Sequence, residues 1–182
     1  MKALERLETK RLILRAYIDS DIKSFSLLIR DELISNPHYA MKDQQTLKDE
    51  KLLFSSIINS HYSSKPVFVW AICEKEDEVF IGTCGLKSLV DNLGFECFYA
   101  LLPRYRGNGF AIEAMLKVLE FSFRDLKIAK IIINIHPNNT RAWKVAERIG
   151  MKYMGHIKYK NINSNAMLFS IEEKEYKAQR FY

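Results

Sequence analysis

The stretch RYRGNGFAIEAMLKVLEFSF, Arg104 to Phe123, decides how this chain is read. Two arginines and two glycines stand in its first six residues, and an amphipathic run follows without a break. Ile112, Met115, Leu116, Leu119 and Phe123 recur at helical spacing, so the stretch predicts a helix from Gly107 to Arg124 with one apolar face against a sheet. A helix start leaves backbone N–H groups without partners and carries the positive end of the helix dipole, which suits an anion. Gly107 and Gly109 allow positive φ and close approach of a ligand oxygen, while Arg104 and Arg106 add charge at the rim. A surface turn with two solvated arginines has the same composition. Two better-known phosphate motifs do not fit: G-x-G-x-x-G needs a glycine where Ile112 stands, and a P-loop needs Lys then Ser or Thr where Phe110-Ala111 stand.

Working outward, VFVWAIC (Val67–Cys73), VFIGTCGLKSLV (Val79–Val90) and GFECFYALL (Gly94–Leu102) are rich in β-formers and separated by charged or turn residues. They predict an antiparallel meander ahead of the long helix. After it, KIIINIH (Lys130–His136) predicts a strand bounded by Pro137, and Asn139–Ile149 a helix with Ala142, Val145, Ala146 and Ile149 on one side, ended by Gly150. Two strands near Lys152–Lys160 and Ala166–Glu173 close the pattern. At the other end, RLILRAY (Arg11–Tyr17) reads as a strand, and Asp19-Ser20-Asp21 opens a helix running to about Ser35, with Asp19 or Ser20 as cap. Asn36-Pro37 interrupts the chain before a second helix over roughly Asp43–His61. The order is α+β with a mixed sheet, not the alternation of a doubly wound fold. Residues 1–182 read as one domain, without repeat or linker.

Composition narrows the function classes. Hydrophobic residues make up 48% and charged residues 27%, ordinary globular usage. The N-terminal MKALERLETKRLILR lacks a signal-peptide core, and no segment approaches the roughly 18 apolar residues of a membrane span, so a cytoplasmic protein without membrane partners is expected. Cys73, Cys84 and Cys97 are widely spaced in strand-like segments and read as buried free thiols. The four histidines lack ligand spacing, so no metal is expected. A net charge of +6 suggests an anionic partner, but the basic residues are spread rather than clustered, so nucleic acid is not expected.

Taken in order, LETKRLILR (Leu7–Arg15), IGTCGL (Ile81–Leu86), ECFYALLPRYRGNGFAIEA (Glu96–Ala114) and NNTRAWKVAERIGM (Asn138–Met151) resemble the GNAT superfamily of acetyl-CoA-dependent N-acetyltransferases. The turn matches its R-x-x-G-x-G/A signature, and the set looks like the branch that acetylates ribosomal-protein N-termini. The resemblance implies a mixed, mostly antiparallel sheet of about seven strands, splayed between the fourth and fifth, with about four helices. It implies acetyl-CoA as co-substrate and a primary amine as acceptor, either a protein N-terminus or a small molecule. Family habit also suggests a homodimer.

The resemblance further implies that backbone amides from Arg106 through Gly107, Asn108, Gly109 and Phe110 to Ala111 hold the diphosphate, with Arg104 and Arg106 supplementing the field. Leu101 and Leu102 then border the pantetheine cleft. Leu101 matches the residue whose N–H faces the thioester carbonyl; Pro103 has no N–H to offer. Asn139 matches an asparagine that contacts the pantetheine arm, and reads equally as a helix cap.

Acetyl transfer needs a neutral amine, a place for charge on the thioester oxygen and a proton for the thiolate. Glu96 matches an acidic strand position and is the candidate water-mediated base; a plain surface glutamate is the competing reading. Glu113 suits the helix dipole more than catalysis. Two proton donors usual in the family are replaced by Ala142 and Ala146, leaving Thr140, Tyr153 or His136, or release to water. The acceptor is expected between the early helices and the last strands, segments whose Phe25, His38, Tyr39, His61, Tyr62, Trp70, Tyr153 and Tyr159 read mostly as core or cleft wall. The missing donors also motivate a second reading, a non-catalytic acyl-CoA sensor.

Overall fold

The structure is a computed structural model and describes residues 4–35, 50–59, 67–89, 94–158 and 165–179. Its strands are β1 (Leu7–Glu8), β2 (Leu12–Arg15), β3 (Val67–Glu74), β4 (Phe80–Ser88), β5 (Phe95–Leu101), β6 (Lys130–Ile135), β7 (Lys152–Lys158) and β8 (Asn165–Glu172). They form one sheet in the order β1-β2-β3-β4-β5-β6-β8-β7. Every neighbouring pair is antiparallel except β5 and β6. The helices are α1 (Ile22–Ser35), α2 (Glu50–Asn59), α3 (Phe110–Arg124), α4 (Thr140–Arg148) and α5 (Glu173–Gln179).

Side chains alternate across a strand, so this sheet feeds two cores. On one face Trp70, Ile72, Cys97 and Leu101 meet Met115, Leu119 and Phe123 of α3, Ala146 of α4 and Tyr176 of α5. On the other, Val69, Ala71, Cys73 and Leu102 meet Phe25 and Leu28 of α1 and Phe54 of α2. Each fully buried large side chain contributes about 2 kcal/mol of apolar burial, so both faces need their helices. Phe98 and Ala100 pack toward α1 and α2 while Cys97 and Leu101 pack toward α3, which gives β5 the face assignment expected from alternation.

The meander and the long helix are as the sequence predicts, and the mixed, mostly antiparallel sheet is as the resemblance implies. Two elements were not anticipated. β1 is only two residues, Leu7 pairing with Leu14 and Glu8 with Ile13, too short for a period-two signal. α5 follows β8 directly, and its mostly charged EKEYKAQ carries the buried Tyr176 as its anchor to the core. The cap of the first helical turn also differs. Neither Asp19 nor Ser20 caps it; Asp21 accepts from the Ile18 N–H at 2.9 Å and from both terminal nitrogens of buried Arg15. Within α3, Leu116 is exposed and Ala114 and Val118 take its place in the core. The helix starts at Phe110 rather than Gly107. Of the second predicted helix, the stretch before Glu50 and beyond Asn59 lies outside the described residues.

All three cysteines are free and buried. Burial pushes the thiols of Cys73 and Cys97 up to about 12, and raises that of Cys84 as well, so none is a nucleophile near neutral pH. Among the described residues, no helix is long and apolar enough to cross a membrane.

Candidate active site

β5 and β6 pair only at their beginnings, Phe95 with Ile131 and Glu96 with Ile132. Beyond those residues β5 stays with β4 as far as the Gly82–Leu101 pair, while β6 stays with β8. The two strands therefore part, and the edges that would have paired line an opening. At its mouth the Leu102 N–H donates to the Ile81 carbonyl of β4 at 2.9 Å. Successive residues of a strand present N–H and C=O to opposite edges, so Leu101 turns its N–H away from β4, into the opening.

The chain then makes one 3-10 turn, Pro103–Tyr105, and reaches the glycines. Gly107 has φ +84° and Gly109, the residue capping α3, φ +79°. A Cβ at Gly107 would meet open space, and at Gly109 only a guanidinium nitrogen of Arg11 at 3.5 Å. Backbone conformation, not crowding, therefore selects glycine here, since an ordinary L residue in the left-handed region costs about 1–2 kcal/mol. The first helical bond of α3 runs from the Glu113 N–H to the Gly109 carbonyl at 3.1 Å. Among the described residues no protein acceptor takes the N–H groups of Gly107, Asn108, Gly109, Phe110, Ala111 or Ile112. Six adjacent donors beside a helix N-terminus make a cradle for an anion.

What fixes this turn was not read from the sequence. Glu113, in the first turn of α3, accepts from the Thr9 hydroxyl at 2.6 Å, the Arg11 N–H at 2.8 Å and Arg11 Nε at 2.7 Å. Arg11 also donates to the Asn108 carbonyl at 3.0 Å and lies over the Phe110 ring. The β1–β2 hairpin thus clamps the glycine turn from outside, which gives a physical reason for LETKRL, G-N-G and x-E-A to occur together. Burial alone would raise the Glu113 carboxyl, but the bonds from Thr9 and Arg11 outweigh it and hold the group below its ordinary range. A depressed carboxylate stabilises the fold above its unfolded pKa, and the contribution disappears as pH falls through the lower folded value. Glu113→Gln should therefore cost about 1 kcal/mol at pH 7. In urea denaturation the difference from wild type should close as the pH drops below the ordinary 4.5. A difference independent of pH would contradict the clamp.

Other expected site residues make contacts of their own. Arg104 is exposed and lies over the Tyr105 ring. Arg106 engages the Leu101 carbonyl and Asp31. Asn139 is the cap of α4, its Oδ1 accepting from the Ala142 N–H at 3.1 Å. Glu96 is half-buried on the α1–α2 face and accepts from Asn134 Nδ2 of β6 at 2.9 Å, a bond that spans the strand gap. It lies five residues before Leu101, roughly 16 Å along the strand, too far for direct contact with an amine at Leu101.

The three donor candidates come from different elements. Thr140 is exposed at the start of α4, and His136 follows β6 with Nδ1 accepting from the Asn138 N–H at 3.3 Å. The Tyr153 hydroxyl bonds His156 on the outer strand β7. Phe25 and Trp70 are core residues, each fully buried, one in either core. His38, Tyr39, His61, Tyr62 and Tyr159 lie outside the described residues.

Comparison with known proteins is consistent with this arrangement. Residues 11–152 match the family described as Acetyltransferase (GNAT) domain. The chain is 30% identical over 156 residues to the uncharacterized protein YkkB of Bacillus subtilis, covering 84% of this chain and 88% of that one. It is 24% identical over 162 residues to the [ribosomal protein uS5]-alanine N-acetyltransferase of Escherichia coli, covering 84% and 81%. Among solved structures, RimL, a ribosomal L7/L12 alpha-N-protein acetyltransferase in complex with coenzyme A, superposes with a TM-score of 0.75 at 16% identity over 92% of this chain and 98% of that one.

Proposed function

This chain belongs to the GNAT acetyltransferases and is an acetyl-CoA-dependent N-acetyltransferase, and from that premise we propose how its residues perform the transfer. The amides of Gly107 to Ile112 bind the diphosphate of acetyl-CoA, and the pantetheine arm runs into the opening between β5 and β6 beside Leu101 and Leu102. The observation that carries this is the row of free N–H groups at the mouth of that opening. Six donors beside the positive end of a helix suit a diphosphate, whereas they would be costly to leave dry.

The acceptor amine attacks the thioester carbonyl carbon directly. Negative charge gathers on the carbonyl oxygen, where the Leu101 N–H stabilises it, and the carbon–sulfur bond then breaks. No enzyme nucleophile is required, in keeping with three buried, protonated cysteines. An N-terminal α-amine with pKa about 7.7–8.0 is only about 10–15% neutral at pH 7, so most of it must lose a proton before attack. Glu96, held by Asn134, receives it through ordered water. As the intermediate collapses the nitrogen gives its second proton to solvent, and the thiolate takes one from solvent, since Ala142 and Ala146 offer none.

The acceptor is a protein N-terminal amine. This reading is supported by the likeness to the uS5-alanine enzyme and to RimL. Release of CoA should be measured with peptides bearing free N-terminal alanine or serine beside small amines such as spermidine. Turnover on peptides supports the assignment and turnover on small amines alone replaces it. Binding of acetyl-CoA without turnover on any amine would indicate a sensor.

Glu96→Gln should lower turnover about 10-fold near pH 7, with the loss shrinking as pH approaches the amine pKa. Superimposable pH–rate profiles for the two proteins would remove Glu96 from the reaction.

A further inference from the structure

Arg106 stands first in R-x-x-G-x-A, and its charge invites assignment to the diphosphate. Its contacts lead elsewhere. Nε donates to the Leu101 carbonyl at 2.8 Å, and a terminal nitrogen pairs with Asp31 Oδ2 of α1. The two side chains are only 24% and 26% exposed. A guanidinium is a rigid planar fork, so two acceptors on two different elements define one orientation for it. Asp31 also neutralises the charge that Arg106 would otherwise project toward a phosphate.

We propose that Arg106 is a positioning residue for acyl transfer: it takes the place of the missing neighbour strand at the end of β5, holding the free edge of Leu101 so that its N–H stays aimed into the opening. The N–H and C=O of one strand residue face the same edge, so gripping the carbonyl fixes the direction of the N–H. β6 supplies no such grip, because its pairing with β5 ends at Glu96. The opposite edge is already tied to β4 through the Leu102 N–H. Through Asp31 the same side chain joins α1, which lies on the face opposite α3, to the mouth of the cleft.

The inference rests on the role of the Leu101 N–H given above, and its test separates the two. Carbonyl-13C acetyl-CoA is titrated into the protein and followed by 13C NMR, which needs no acceptor. Wild type should bind it with the carbonyl resonance displaced downfield of the free thioester, as a hydrogen bond to that oxygen polarises the carbonyl. In Arg106→Ala the affinity should stay within about threefold, since backbone amides carry the diphosphate, while the resonance returns toward the free position. Arg106→Lys keeps the charge but cannot span both acceptors, and should behave like Arg106→Ala. Asp31→Asn keeps an acceptor oxygen and should preserve the displacement.

Binding at least about tenfold weaker with an unmoved resonance would make Arg106 a phosphate ligand and overturn the proposal. An unmoved resonance at unchanged affinity would overturn it too. If Arg106→Ala does not fold, the contrast between Arg106→Lys and Asp31→Asn decides. Wild type that binds without any displacement would defeat the Leu101 assignment and this proposal with it, and wild type that does not bind would defeat the proposed cofactor site.

Discussion

Replacing Gly109 with tryptophan should weaken acetyl-CoA binding by at least about 100-fold while leaving a folded protein. Each amide–phosphate hydrogen bond is charge-assisted and contributes roughly 1.5–3 kcal/mol, so losing two of the six donors is enough for that change. The indole would stand in the open space above the turn, where a Cβ meets nothing nearer than Arg11 at 3.5 Å. Placing a side chain at φ +79° adds about 1–2 kcal/mol of strain, a tolerable loss for a domain of this size. Gly109→Asn is the matching control, because asparagine accepts the left-handed conformation and leaves the donors uncovered. Calorimetric titration of the three proteins, with circular dichroism to establish folding, provides the check. Unchanged affinity in folded Gly109→Trp would rule out the turn as the diphosphate site.

Leu101→Pro should lower turnover by about 100- to 1000-fold, the usual cost of removing one oxyanion donor. Proline in a strand normally breaks a ladder bond. Here the missing N–H is one that faces the opening rather than β4, so the sheet loses no backbone bond. Leu101 is buried, and truncation alone costs roughly 2–5 kcal/mol of stability. Leu101→Ala carries the same cavity but keeps the donor, so the comparison isolates the N–H. Both variants should bind acetyl-CoA, and only the proline variant should lose turnover. Equal activity in the two would show that the Leu101 amide does not act on the thioester oxygen.

The fold was legible where its signals are local. Runs of β-formers in β3, β4 and β5, strands covered on both faces, and the helical spacing of Met115, Leu119 and Phe123 on the buried side of α3 predicted elements that the structure contains. β1 was not legible, because two residues cannot show a period and its position is set by Leu14 and Ile13 opposite. α5 was hidden for another reason: its sequence is mostly charged, and one tyrosine decides its docking. Leu116 counted toward the apolar face because spacing cannot tell which side of a two-residue-wide stripe the sheet will cover.

The site divides in the same way. Positive φ at Gly107 and Gly109 is a local property, and glycine declares it. The exposed edge of Leu101 is a consequence of which strands part, and it became readable only through the resemblance of the whole ordered set. Contacts distant in sequence were out of reach. Nothing in ETKR announces that Thr9 and Arg11 close on Glu113, nor that Arg106 reaches the Leu101 carbonyl and Asp31 while Arg104 lies over the Tyr105 ring. Charge near a turn says where a phosphate could go; only geometry says which cations are already committed.

The most direct measurement is a 15N–1H correlation spectrum of labelled protein titrated with acetyl-CoA. Saturable shifts are expected at the amides of Gly107 to Ile112, together with a shift of the Leu101 amide that is absent when CoA without its acetyl group is used. Saturation elsewhere in the spectrum with the turn amides unmoved would contradict the proposed cofactor site.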